Sequence, residues 1–102
     1  MTRAAASKTR ARKAKPVAFV YVLGTCHKGR YLSYVGWTND VARRLDKHNA
    51  GTGARSTRGR AWMLLHTEGF ATRIEAMSRE WHLKRDRTFR KKLMDAVRER
   101  IS

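Results

Sequence analysis

Four side chains in the first half of the chain have the chemistry to act on a phosphate ester. Tyr21 and Tyr34 stand in two apolar segments, and Arg44 and His48 follow in a segment with helical spacing. Four residues make about one helical turn, so Arg44 and His48 face the same way. A guanidinium matches phosphate oxygens and stays charged, and histidine or tyrosine can exchange a proton. Each also has an ordinary structural explanation, since strand tyrosines usually pack in a core and a helical arginine or histidine is usually solvated or half-buried.

Glu80 is a carboxylate that could take part in metal chemistry. Beside a phosphodiester, one carboxylate can hold Mg²⁺ while water and phosphate oxygens complete the octahedron. The alternative is a surface ion pair with Lys84, four residues further along the same predicted helix. A capping box with Thr72 explains Glu75 at the start of that helix, so we expect Glu75 to be structural.

The charge of the chain indicates a polyanionic partner. Its 102 residues include 24 Lys and Arg against 8 Asp and Glu, a formal charge of +16. A compact domain with this excess repels itself unless a polyanion neutralises it, which predicts nucleic acid. An anionic membrane is less favoured, because no basic helix carries a broad apolar face. The single cysteine, Cys26, excludes an internal disulfide, no apolar run is long enough to span a membrane, and no zinc-binding spacing is present.

The length allows one folded domain. Residues 1–15 are rich in Ala, Arg and Lys, contain no acid and show no apolar periodicity, which predicts a disordered basic tail. Three explanations of this tail stay open: a DNA-gripping arm, an organellar transit peptide or a cloning residue. The folded domain is expected over residues 16–102.

Apolar periodicity and turn residues predict the element order β-β-α-β-α-α. The strands are expected at residues 17–23, 31–37 and 61–66, with a turn over residues 26–30. The helices are expected from Asn39 or Asp40 to about Asn49, from Thr72 to about Arg85, and from Thr88 onward. Three strands need helices over them to bury their apolar faces, so the fold class is α+β, a three-stranded, mostly antiparallel sheet flanked by helices.

Several motifs occur in an order that resembles the GIY-YIG nuclease family. Phe19-Val20-Tyr21 stands where the first triplet belongs and Tyr34-Val35-Gly36 where the second does, followed by the helix of Arg44 and His48 and then by Glu80. The basic stretch 53–60 is similar to that of the small stand-alone bacterial members and of the Slx1-type catalytic domain. The similarity covers roughly residues 17–95. Phe and Val replace the Gly and Ile of the first triplet, at positions where strand packing is the only requirement.

The resemblance implies a catalytic site made of Tyr21, Tyr34, Arg44, His48 and Glu80. Tyr21 would be the general base for the attacking water, and positive charge from Arg44, His48 and the metal would favour its phenolate. Arg44 would clamp the scissile phosphate, and His48 would hydrogen-bond to Tyr21 or relay its proton. Glu80 would bind Mg²⁺ or Mn²⁺. Gly36 is expected to be structural, allowing a close approach of the backbone.

Basic residues around this site are expected to hold the nucleic-acid backbone. These are Arg43, Arg55, Arg58, Arg60 and Lys84, and Thr57 is a weaker candidate. Of the three tryptophans, Trp62 and Trp81 are expected in the core, and Trp37, at a strand exit, is a candidate for stacking on a base.

The sequence thus predicts a metal-dependent endonuclease that hydrolyses phosphodiester bonds, most simply in DNA that is single-stranded, branched or flapped, with weak sequence specificity. A role in DNA repair, a cytoplasmic, nucleoid-associated location and a monomer are the accompanying expectations. The main alternative is a catalytically silent nucleic-acid-binding module of the same fold. A basic structural protein of the ribosome or nucleoid would explain the charge but gives no reason for the order of the motifs.

Overall fold

The computed structural model describes residues 15–101, so the expected basic tail lies almost wholly outside the described residues. The described range contains three strands, β1 (Ala18–His27), β2 (Arg30–Thr38) and β3 (Met63–Phe70). Its helices are α1 (Val41–Asn49), α2 (Arg73–Arg85) and α3 (Arg87–Ile101), with a 3₁₀ turn at Arg55–Thr57. The order β-β-α-β-α-α and the α+β class are therefore confirmed. None of the helices in the described range is long and apolar enough to cross a membrane.

The sheet has the order β2-β1-β3, with both neighbours antiparallel to the central strand β1. β1 and β2 are longer than predicted, because the turn between them is only two residues, Lys28 and Gly29, both with positive φ. Two such residues form the tight loop whose twist matches that of a hairpin. This turn sets the register that places Tyr21 opposite Gly36.

The central strand is buried on both faces, as its continuous apolar run predicts. Ala18, Val20 and Val22 face the layer of α2 and α3, where they pack with Ala76 and Leu83. The alternate residues of β1 face the other side, where α1 covers the sheet; Tyr21 and Leu23 pack there with Trp62, Tyr34, Val41 and Leu45. Because side chains alternate along a strand, two small cores form on opposite sides of one sheet.

Side-chain caps begin each helix. Asp40 accepts from the Arg43 amide at the start of α1, and Thr72 accepts from the Glu75 amide at the start of α2, which confirms the predicted capping box. The start of α3 was predicted at Thr88 and lies slightly earlier, because Asp86 ends α2 and accepts from the amide of Phe89. One polar residue thus closes one helix and opens the next, so a single residue separates the two helices.

One ion pair ties α2 to β3. The guanidinium of Arg79 donates from Nε and Nη2 to the two carboxylate oxygens of Glu68, at 2.8 and 3.0 Å, and His66 Nε2 lies 2.7 Å from Glu68 Oε2. Burial opposes ionisation of Glu68, but the hydrogen bonds from Arg79 and His66 outweigh it and lower the pKa of the carboxyl. Arg79 immediately precedes Glu80, so this bidentate pair also holds the helical turn that carries Glu80.

Candidate active site

The hydroxyl of Tyr21 is the centre of a buried polar cluster between β1 and α1. It lies 3.0 Å from Nε2 of His48, and Arg44 Nε donates to it at 3.4 Å. Both Tyr21 and His48 are almost fully buried. A methyl group at Gly36 would lie 2.5 Å from the Tyr21 hydroxyl oxygen, so only glycine leaves room for it on the neighbouring strand. A close approach of the backbone was expected at Gly36, and in the structure the group that lies against it is the tyrosine hydroxyl.

The direction of the hydrogen bonds follows from Thr57. Its hydroxyl donates to the carbonyl oxygen of Ala54 at 2.7 Å, and it lies 2.7 Å from Nδ1 of His48. A hydroxyl has one proton, so Thr57 accepts from Nδ1–H, and the neutral imidazole carries its lone pair on Nε2. Tyr21 therefore donates its own proton to His48 Nε2. The chain of bonds runs one way, from the phenol through the imidazole to the loop backbone.

Burial decides the protonation of this pair. It raises the pKa of Tyr21, and the hydrogen bond from Arg44 only partly opposes this. Burial and the charge of Arg44 lower the pKa of His48. Neighbouring positive charge was expected to favour the phenolate. The side chains around Tyr21 have the opposite net effect, because desolvation of the hydroxyl is larger than the effect of Arg44. Tyr21 is a neutral phenol that faces a neutral proton acceptor.

The loop that carries Thr57 is anchored to α1. Asn49, at the end of the helix, pairs with the backbone of Trp62 through both amide atoms, at 3.1 and 2.6 Å. The indole N–H of Trp62 in turn donates to the carbonyl oxygen of Thr57 at 2.8 Å. A methyl group at Gly53 would lie 2.6 Å from His48 Nδ1, so the loop also needs glycine where it crosses the imidazole. These contacts hold the Thr57 hydroxyl against His48.

Arg44 and Tyr34 complete the cluster towards solvent. The Tyr34 ring centroid is 4.9 Å from that of His48 and 6.3 Å from that of Tyr21. The pKa of Arg44 is raised, mainly by its hydrogen bond to Tyr21 and more weakly by its interaction with Tyr34. Arg44 also lines an open polar depression of about 220 Å³ at the start of α1, together with Thr38, Asn39, Asp40, Arg43 and Lys47. A guanidinium has five N–H donors, so Arg44 can hold Tyr21 and still donate to an anion in this depression.

Glu80 comes from the helix on the other face of the sheet. Its carboxylate is one of the charges that raise the pKa of Tyr21, so the two groups interact. The Glu80 side chain is 21% exposed, and Lys84 Nζ lies 3.6 Å from Oε2. This is the ion pair weighed above as the alternative explanation, and at this distance and exposure it is weak. In the described part of the chain, no three His, Cys, Asp or Glu side chains are grouped as a metal site, so Glu80 does not belong to a cluster of three or more such side chains.

The remaining candidate residues divide between surface and core. Arg43, Arg55 and Arg58 are exposed around α1 and its following loop, Arg60 is half-buried, and Lys84 is exposed beside Glu80. Thr57 does not join the loop arginines, because it is fully buried against His48. Trp62 is in the core as predicted, but the prediction for Trp81 is wrong: 53% of its surface is exposed and Arg85 stacks on its ring at 3.7 Å.

Sequence reasoning missed the functional importance of two residues. The Thr57 hydroxyl contacts His48, and Gly53, treated above only as part of the basic stretch 53–60, provides the space for the imidazole. Neither lies at a helical or strand spacing from the residues it contacts. A threonine inside a glycine- and arginine-rich loop is the only local signal, and it equally suits a phosphate contact.

A three-stranded antiparallel sheet with a Tyr-Tyr-Arg-His cluster on one face and a helical glutamate from the other defines a nuclease-type domain. The family model of the GIY-YIG catalytic domain matches residues 17–93, and the chain belongs to the GIY-YIG family, whose nucleases act on nucleic acids. This confirms the resemblance inferred from the motifs.

Three relatives of similar length are all named UPF0213 proteins. A UPF0213 protein of Halobacterium salinarum is 52% identical over 66 residues, which are 64% of this chain and 82% of that protein. A UPF0213 protein of Streptococcus pneumoniae is 49% identical over 69 residues, 67% of each chain. A UPF0213 protein of Nitratidesulfovibrio vulgaris is 46% identical over 80 residues, 78% of this chain and 70% of that protein. No solved structure gives a significant match.

Proposed function

We propose that the protein is a metal-dependent endonuclease that hydrolyses phosphodiester bonds in DNA, on single-stranded, branched or flapped substrates and with weak sequence specificity. The observation that carries the proposal is the one-way hydrogen-bond chain from Tyr21 through His48 to Thr57, with Arg44 on the same phenol. A structural tyrosine in a core needs one partner for its hydroxyl. This hydroxyl faces a proton acceptor and a cation together, an arrangement suited to moving a proton beside an anion.

The proton path follows from the direction of these bonds. As a water molecule attacks phosphorus, its proton passes to the Tyr21 oxygen while the phenol proton passes to His48 Nε2. The water oxygen forms the new P–O bond, the bond to the 3′ oxygen breaks, and that oxygen takes a proton from solvent. The products are a 5′-phosphate and a 3′-hydroxyl. The imidazolium then returns its proton to the Tyr21 oxygen, and the proton that Tyr21 took from the attacking water passes to water entering the site. This path explains how a phenol with a raised pKa assists the attack without first becoming a phenolate.

Arg44 supports charge development at the phosphate. Its Nε is held by Tyr21, so the guanidinium orientation is set before substrate arrives. Preorganised donors are more effective than mobile ones because they need no rearrangement as the transition state forms. Tyr34, packed on His48, lies beside the same position and would add a hydroxyl donor.

The carboxylate of Glu80 suits Mg²⁺ or Mn²⁺. These ions keep several waters and use one or two carboxylates together with substrate phosphates, so a single protein ligand is sufficient. The accessible carboxylate has only a loose ion pair with Lys84, which an ion of higher charge would displace. A metal ion held here would supply positive charge to the phosphate and to the leaving oxygen.

The test is cleavage of labelled single-stranded, duplex and flapped DNA with Mg²⁺ and with EDTA. Glu80→Ala is expected to reduce the Mg²⁺-dependent rate by at least about a hundredfold, since metal stabilisation of the transition state contributes several kcal/mol. Glu75→Ala is the matched control, because it removes an exposed acid from the same helix outside the cluster.

Two outcomes would count against the proposal. Undiminished cleavage by Glu80→Ala would remove the metal ligand from the mechanism. Salt-sensitive binding with no cleavage of any substrate would favour a catalytically silent binding module with the same fold.

A further inference from the structure

An open cleft of about 640 Å³ lies at the end of β2, next to the Tyr21 cluster. Its lining consists of Val17, Trp37, Thr38, Asn39, Arg44 and Arg73. Arg44 belongs both to this cleft and to the cluster, so whatever occupies the cleft is adjacent to the proposed phosphate position. The lining includes two arginines, one indole ring and no acid, a combination that suits a nucleotide, with its flat base and its negative phosphate.

The contact between Trp37 and Arg73 is a loose cation–π pair, much wider than the other tryptophan–arginine pair in the described residues. The guanidinium carbon of Arg73 lies 6.0 Å from the Trp37 ring centroid. At Trp81, in the same protein, Arg85 lies directly on the ring at 3.7 Å. Stacked planes in nucleic acid are separated by about 3.4 Å, so a base between an indole and a guanidinium needs about 6.8 Å. At 6.0 Å Arg73 is not stacked directly on the Trp37 ring, so a base that enters between them has to displace only an arginine side chain.

The two sides of this opening differ in rigidity. Trp37 is partly buried and packs against the core beneath α2 and α3, so its ring is a fixed platform. Arg73 is the first residue of α2, and its exposed side chain can move outward to admit a base. A base can therefore enter without disturbing the core, and little conformational entropy is lost on the side of the tryptophan.

We propose that this cleft receives one unpaired base, stacked on Trp37 and covered by Arg73, while the neighbouring phosphate lies at Arg44. The inference rests on the proposed function and makes it more specific: a paired base inside a duplex has no free face, so the substrate must present an unpaired nucleotide beside the bond to be cut. Trp37 is then a specificity-determining residue that selects strand state and not sequence, because every base has a face that can stack.

The experiment measures binding without cleavage, in EDTA and at one fixed salt concentration. A labelled single-stranded oligodeoxynucleotide is compared by fluorescence anisotropy with the same strand made abasic and with its duplex. The unaltered protein is expected to bind the base-containing strand about tenfold more tightly than the abasic strand, the value of one stacked base. Trp37→Ala is expected to lose this preference and to leave abasic affinity unchanged, whereas Trp37→Tyr retains most of it.

Trp81→Ala is the matched control, because its ring is already covered by Arg85, and it is expected to leave the preference intact. Equal affinity of the unaltered protein for the base-containing and abasic strands would overturn the inference without any variant. The test therefore does not depend on whether Trp37→Ala folds. Equal loss of affinity for both strands in a folded Trp37→Ala protein would also overturn it. Since the assay contains no metal, its result is independent of whether Glu80 supports cleavage.

Discussion

Replacing Thr57 by valine tests the proposed proton path most directly. The Thr57 side chain is fully buried, and its hydroxyl makes two bonds of 2.7 Å, one to His48 Nδ1 and one to the Ala54 carbonyl. Valine has nearly the same shape but no hydroxyl, so it leaves the Nδ1–H without a partner, whereas the Ala54 carbonyl still accepts from the Thr57 amide at 3.0 Å. The imidazole can then carry its proton on Nε2, where it faces the phenol and can no longer accept from it.

The expected size of the effect follows from these two bonds. The preference for the Nδ1–H tautomer rests on one buried hydrogen bond of about 1–1.5 kcal/mol, so its loss makes the productive tautomer about tenfold rarer and lowers kcat about tenfold. One unpaired buried group destabilises the fold by about 1–3 kcal/mol. This is less than the stability of most domains of this size, so the variant is expected to fold, with a Tm lower by about 5–20 °C.

Two measurements separate orientation from destabilisation. Single-turnover cleavage at 15–20 °C should show a lower kcat with little change in KM, and Thr57→Ser, which keeps the hydroxyl, should restore most of the rate. Two-bond ¹H–¹⁵N spectra of the imidazole should show Nδ1–H in the unaltered protein and a shift towards Nε2–H in Thr57→Val. An unaltered protein with the proton on Nε2, or a folded Thr57→Val protein with an unchanged kcat, would refute the proton path.

Three further predictions follow from the same contacts. Gly36→Ala is expected to lower kcat about a hundredfold and the free energy of unfolding by about 1–3 kcal/mol, because the added methyl group would displace the Tyr21 hydroxyl. Single-turnover rates measure the first effect and urea midpoints the second. The midpoint of the acid limb of the pH–rate profile should lie below the ordinary histidine pKa of 6.5. Burial lowers the pKa of His48, so the neutral acceptor persists in more acidic solution. A midpoint above 6.5 would contradict this. Glu68→Gln should lower the free energy of unfolding by about 2 kcal/mol at pH 7 and by much less at pH 3. A carboxyl with a lowered pKa stabilises the fold above pH 4.5 and loses this contribution as the pH falls. Urea midpoints of both proteins at the two pH values test this.

The elements and the strand residues of the site could be predicted because their signals are local. A continuous apolar run, a capping box and an Asp cap each specify their own segment, and they placed Tyr21, Arg44 and His48 on the correct elements. The register between β1 and β2 was less accessible, because it depends on which two residues form the turn. A shift of one residue there would move Gly36 from its position opposite Tyr21 and leave the hydroxyl without space.

The protonation of the site could not be predicted from residue types. Arg44 beside Tyr21 suggested a lowered phenol pKa, but the sign depends on how much solvent the hydroxyl loses, and only the packed structure fixes that. The exposure of Trp81 is a similar case. Its helix has apolar residues around much of its circumference, so its periodicity does not determine which of them face the sheet.

The loop after α1 combines two tasks that its sequence does not separate. Its outer side presents Arg55 and Arg58 to solvent, where they can contact a nucleic-acid backbone, while its inner side presents Thr57 to His48. One 3₁₀ turn, Arg55–Thr57, spans both sides, and the Trp62 indole holds the Thr57 carbonyl from below. The arginines therefore account only for the outer side of the loop, which is proposed to contact nucleic acid. The other half decides where the proton of the imidazole resides, so the loop belongs to the proposed chemistry as much as to substrate binding.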